Sequence, residues 1–259
     1  MAWSAPPNTS FTVASLLVHR AQRDPARPLI TYLRYADGTI TERMELSAAS
    51  LANGAAKAAG LLRDELDVQP GDVVGVDLPL HWQASVWIGA LALTGAIARP
   101  WQIDSNALTV IDTARVSDAP GTDVIGVSLA AFGMPCGRNL PNNVIEAAVA
   151  ARAHPDTFAP FVWPAADDEA LQLHGARYSN TQLLTAATLV VQETKLRPGG
   201  RLLVSRSDWT IGSLDAWLLL LAVPLVADAA VVLVDNGESP PMIDVSGEAI
   251  TATYIDRRR

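Results

Sequence analysis

Residues 68–100, VQPGDVVGVDLPLHWQASVWIGALALTGAIARP, constrain the fold more than any other stretch. A Pro70-Gly71 turn leads into the apolar run 73–78, which reads as a short strand of the buried, parallel-sheet type. Residues 82–94 read as a helix closed by Gly95, and 97–100 as a further strand. Strands alternating with helices predict an α/β chain with a parallel sheet and helices on both faces.

The alternation continues on either side. Ser10 or Thr12 caps a first helix carrying Val13, Leu16, Leu17 and Arg20 at helical spacing, and Asp24-Pro25 ends it. Runs 29–35 and 39–45 flank Ala36-Asp37-Gly38, and Asp-Gly between alternating runs is a strong hairpin signal. Ser47 caps a long Ala-rich helix reaching about Glu65. Farther on, 124–129 reads as a strand and 143–152 as a helix opened by Asn142 or Asn143. The Pro- and aromatic-rich segment 157–166 is the expected boundary between two αβ halves, about 1–160 and 161–259. The second half reads as strand, helix (180–193), Pro198-Gly199-Gly200 turn, strand (202–205), helix (213–223) and strand (230–234). Residues 249–255 alternate weakly and read as a last strand. The expected architecture is two layered αβ halves with mostly parallel sheets, for which 259 residues at 49% hydrophobic suffice.

Composition removes several function classes. A net charge of −8 disfavours nucleic acid or an anionic membrane as partner, and Arg257-Arg258-Arg259 is the sole basic run. Cys136 is the one cysteine, so no internal disulfide or CxxC metal site can form. The histidines and carboxylates show no HExxH spacing, and no Gly-x-Ser-x-Gly elbow anchors a hydrolase triad. The N-terminus shows neither a basic nor an apolar region of a secretory signal, which makes the cytoplasm the expected location. The apolar stretch 216–234 is broken by Pro224 and Asp228, and reads as a buried helix followed by a buried strand rather than a membrane span.

Residues 167–184, DDEALQLHGARYSNTQLL, hold the candidate site. They read as a short strand, a tight His174-Gly175 turn, and a helix capped by Ser179 or Asn180. A strand, a turn and a helix N-terminus can cradle phosphate on backbone N–H groups. His174 as an imidazolium could meet an anion, aided by Arg177, although an ordinary turn histidine and an exposed arginine explain both residues more plainly. Adjacent acids such as Asp167, Asp168 and Glu169 are most simply a solvated loop.

Three stretches together resemble the N-terminal part of the adenylate-forming superfamily, the acyl-CoA synthetases and other AMP-binding enzymes. The first is 13–45 followed by Leu51-Ala52-Asn53-Gly54-Ala55-Ala56, similar to that family's opening helix, hairpin and long helix. The second is 68–100, similar to its "PGD-x-V-x-V-x-LP … GA-x-x-x-P" run. The third is 198–234, with Gly200-Arg201, Gly212, Pro224-Leu225 and Asp228-Ala229 in place of "GD … G … PL-x-x-GA". Tyr178-Ser179-Asn180-Thr181-Gln182-Leu183-Leu184 likewise resembles the helix start that follows the family's phosphate loop. Where that loop ends in Pro-Lys-Gly, this chain has His174-Gly175. Trp209 falls near the position of a family residue bordering the acyl pocket; packing is its plainer role.

The resemblance implies a single truncated AMP-binding-like domain over 1–259, and its departures imply impaired chemistry. The phosphate loop is missing, and the chain stops before the family's adenine pocket, ribose-binding Asp and C-terminal domain with the catalytic Lys. Neither Lys57 nor Lys195 matches a family lysine. The expectation is a catalytically defective small-ligand or protein-binding module, with His174, Gly175, Arg177, Ser179 and Trp209 as ligand-binding candidates and no catalytic or metal residues. Its expected ligand is a small carboxylate or phosphate, with no cofactor. Self-association or docking onto a full-length relative is the structural alternative. An active ligase completed by a partner chain is the other, and would use ATP, Mg²⁺ and CoA.

Overall fold

Helix α1 (Val13–Arg23) begins at Thr12, whose side chain and that of Ser15 each accept the other's backbone N–H. These coordinates are a computed structural model that describes residues 11–101, 108–119, 123–205, 212–235 and 245–255. Trp209 and the terminal arginine triplet lie outside the described residues. Strands β1 (Pro28–Ala36) and β2 (Thr39–Ser47) form the expected hairpin, with Asp37 and Gly38 both at positive φ. Ser47 caps α2 (Ala48–Gly60), which runs on into a π-helical turn, Leu61–Glu65. Then come β3 (Val73–Asp77), α3 (Trp82–Thr94), β4 (Ile97–Pro100), β5 (Thr109–Asp112), β6 (Val124–Val127), β7 (Val144–Glu146) and α4 (Ala147–Ala150). The chain continues through β8 (Glu169–Leu173), β9 (Ala176–Ser179), α5 (Asn180–Thr194), β10 (Arg201–Ser205), α6 (Leu214–Trp217), α7 (Val223–Val226), β11 (Ala230–Asp235) and β12 (Ala252–Thr253).

Two sheets result. One has the order β12-β10-β11-β1-β2, the other β7-β6-β5-β3-β4-β8-β9. Among the described residues every pairing is parallel except β1 with β2 and β8 with β9, so each sheet ends in a hairpin strand. The strands do not sort by the boundary near residue 160. Strands β1 and β2 pair into the sheet of β10–β12, while β7 and β8, on either side of 160, share the larger sheet.

The expected helix at 143–152 is shorter. Val144 and Ile145 pair with Val124 and Ile125 as an edge strand, and helix begins only at Ala147. Their β-branched side chains suit a pleated surface better than a helix. The apolar stretch 216–234 divides as expected. Helix α6, a π-helical stretch (Leu218–Ala222) and α7 run without a break and feed β11. Pro224 cannot donate to the preceding turn, and the wider π turn accommodates it. Among the described residues no helix is long and apolar enough to cross a membrane.

The main core gathers Ile30, Tyr32, Val231 and Leu233 from the smaller sheet and Val74, Val110 and Leu171 from the larger. Leu33, Val232 and Val234, facing the other way, form a separate cluster. Helix α3 is buried on almost every side, which explains its continuous apolar sequence. It lies so close to α2 that a Cβ on Gly89 would stand 3.0 Å from the Ala55 Cβ.

Candidate functional site

The parallel strands β4 and β8 are neighbours through Ala98 and Leu171, and their carboxyl ends open on a cleft of about 450 Å³. In open α/β sheets ligands settle at such edges, because the loops leaving the strands diverge there. Arg99, Pro100 and Trp101 line it from β4, and the β8–β9 hairpin supplies Gln172, Leu173, His174, Gly175, Ala176 and Arg177.

His174 and Gly175 make a two-residue turn with φ of 50° and 82°, the double left-handed geometry that suits a twisted hairpin. His174 Nε2 lies 2.9 Å from the Gly212 carbonyl oxygen, so Nε2 carries a proton and donates it. Nδ1 then remains to meet a ligand, as an acceptor when the ring is neutral and a donor when it is protonated. The Arg177 guanidinium pairs with Glu169 Oε2 at 3.2 Å on the same hairpin, and Arg177 lines the cleft beside His174 and Gly175.

Ser179 is elsewhere. The sequence suggested that the turn passes straight into a helix, but four residues of β9 intervene and place Ser179 opposite Glu169, at the far end of the hairpin. That strand spans about 14 Å. The α5 N-terminus has no donor to spare. The N–H of Ser179 bonds Gln182 Oε1, that of Asn180 the Asp168 carbonyl, that of Thr181 the Ala166 carbonyl, and that of Gln182 the Ser179 hydroxyl. A reciprocal cap thus fills the groups that an anion would need. The structure brings His174, Gly175 and Arg177 together and leaves Ser179 out.

Two further titratable residues stand near the same sheet edge: Asp77, which the sequence did not single out, and His81, whose place at a helix start reads as that of a cap-region side chain. Asp77 ends β3, where burial pushes its carboxyl upward and Arg115, 2.6 Å away, offsets part of that push. An acid closing an otherwise apolar strand was the available signal. His81 caps α3 by accepting the Gln83 N–H on Nδ1, and its buried Nε2 has no hydrogen-bond partner among the described residues. Burial, with a smaller contribution from Arg34, holds its pKa at about 3. The acids 167–169 play local roles: Asp168 accepts the Ala165 N–H, and Glu169 accepts from Gln172 and Arg177. Among the described residues no group of three His, Cys, Asp or Glu side chains could hold a metal ion.

A polyphosphate needs many converging donors. The hairpin turn has two residues and the adjoining helix start is capped by its own side chains.

No family model matches the sequence. A TIGR03089 family protein from Mycobacterium tuberculosis (strain ATCC 25618 / H37Rv) is 41% identical over 144 residues, covering 53% of this chain and 58% of that protein. Apo MatB from Rhodopseudomonas palustris superposes with a TM-score of 0.65 at 19% identity, over 86% of this chain and 45% of its own. Acetoacetyl-CoA synthetase from Streptomyces lividans gives 0.66 at 20% identity, over 88% and 38%. The chain therefore has the fold of the N-terminal part of acyl-CoA synthetases, and it spans less than two thirds of each of these proteins.

Proposed function

We propose that this protein keeps an acyl-CoA synthetase fold without adenylating activity and binds a small phosphate or carboxylate in the β4/β8 cleft. The observation behind this is the two-residue turn between β8 and β9. Adenylation must hold and neutralise the β- and γ-phosphates while a carboxylate attacks the α-phosphate, and a short hairpin beside a self-capped helix offers few donors for that. Losing one preorganised donor typically costs about 3–4 kcal/mol of transition-state stabilisation. What remains, His174 with Arg99 and Arg177 nearby, suits weak retention of one oxyanion.

Incubation with ATP, Mg²⁺, CoA and a panel of carboxylic acids is expected to release no pyrophosphate above buffer. Robust release would overturn the proposal and favour a ligase, alone or completed by a partner chain. Titration calorimetry with ATP and Mg²⁺ provides the second check. A dissociation constant in about the low-micromolar range, near −8 kcal/mol, is too tight for so reduced a site.

A further inference from the structure

The carboxyl end of β6 opens on a second cavity, of about 280 Å³, between α2, α3 and α4. Strand β6 lies three strands from β4 in the same sheet, about 14 Å away, so this cavity is distinct from the cleft at His174. Its wall is aromatic and apolar, with Trp82, Val86 and Trp87 from α3 and Phe132 from the loop after β6. Trp82 is buried, yet its indole N–H has no acceptor among the described residues, an unusual state for an interior donor.

Two further observations describe the mouth of the cavity. Phe132 is 74% exposed and sits at a φ of 58°, a conformation that a bulky L side chain adopts only under constraint. Its neighbour Gly133 presses on α3, where a Cβ would stand 2.9 Å from Gln83 Nε2 and 3.0 Å from the Trp82 ring. The loop thus lines the cavity with a residue held in the left-handed region. At the rim the charges are unequal. The Lys57 ammonium is taken by Asp156 at 2.7 Å and the His154 carbonyl at 2.9 Å, whereas Arg152 has no ion pair or hydrogen bond among the described residues.

We infer that this cavity binds a small amphipathic oxyanion, its apolar body against the Trp82 and Trp87 rings and its charged head on Arg152. A guanidinium suits a planar or tetrahedral oxyanion through paired N–H donors. At about 30 Å³ per water-sized group, the space takes a body of about nine heavy atoms.

Calorimetric titration of the full chain with benzenesulfonate, benzoate and neutral benzyl alcohol tests the inference. Both anions should bind saturably, and Arg152→Gln, a change on an exposed side chain, should weaken both by about tenfold. Benzyl alcohol should bind more weakly than either anion and be indifferent to that variant. Ala151→Phe, which fills the cavity, should abolish binding of all three, and His174→Ala should leave them unchanged. No saturable binding of either anion, equal binding of the alcohol, or loss on His174→Ala but not on Arg152→Gln would overturn the inference. None of these readouts depends on pyrophosphate release, so the proposal for the β4/β8 cleft stands or falls separately.

Discussion

The two sheets each end in a hairpin, and the hairpins turn alike while their surroundings differ. Asp37-Gly38 joins β1 to β2 at φ of 51° and 74°, and His174-Gly175 joins β8 to β9 at 50° and 82°. Strand β1 lies between β11 and β2, and its residues 29–33 are all buried, packing on both faces of the sheet. Strand β8 buries only Leu171 and Leu173, and its turn forms one side of an open cleft. The same backbone turn therefore serves packing in one sheet and leaves a ligand-accessible edge in the other. What separates them is the number of apolar side chains that the flanking strands deliver to the core.

The largest expected contrast is in core truncation. Ile30→Ala, at a fully buried position on β1, should cost about 4 kcal/mol, and Leu173→Ala on β8 about 2–3 kcal/mol, because the looser edge can partly collapse. Urea denaturation of both variants measures the difference, and equal losses would break the comparison.

Next comes acid. The His81 ring meets Tyr32 of β1 edge-on, with centroids 4.4 Å apart, and burial lowers its pKa from 6.5 to about 3. The unfolded chain therefore binds a proton that the folded chain refuses. Stability that is present above about pH 6.5 is lost as pH falls towards 3, by about 2 kcal/mol between pH 7 and pH 5 from this group. His81→Asn keeps a capping acceptor and should remove that part of the slope. A variant at His81 that retains the full slope would show that the acid sensitivity lies elsewhere.

The smallest effect sharpens the likeness itself. A Cβ on Gly38 or Gly175 would meet nothing within 4 Å, so replacement by Ala carries only the backbone term. Each should cost about 1 kcal/mol, and the two costs should match. Thermal melts of Gly38→Ala and Gly175→Ala that differ by more than their error would mean that the turns are not equivalent.

These hairpins also mark how far the sequence can be read. The first was legible because Asp-Gly stands between two long alternating runs. The second was not, because β9 is only ARYS, and its last residue already carries the cap signal of α5. Taking those four residues for a helix approach placed Ser179 beside His174. Strands β5 and β7 were passed over for a related reason, since three or four residues carry too little periodicity to tell strand from loop or helix start. The candidate site was legible in part: His174, Gly175 and Arg177 do meet in a cleft, but Arg99 and Trp101, more than seventy residues away, complete it.

By itself the sequence determined most of the elements and several of their ends, through Ser47 as a cap, Ser10 or Thr12 and Ser179 or Asn180 as cap candidates, Asp37-Gly38 as a turn and Gly95 as a helix stop. Those features depend on hydrogen bonds and backbone angles within a few residues, so local chemistry settles them. Only the tertiary structure decided that β1 pairs with β11, that His81 stays neutral, and that the α5 N–H groups are already satisfied where an anion was expected. Each of these turns on which distant side chains and carbonyls share one volume, and no local pattern encodes that.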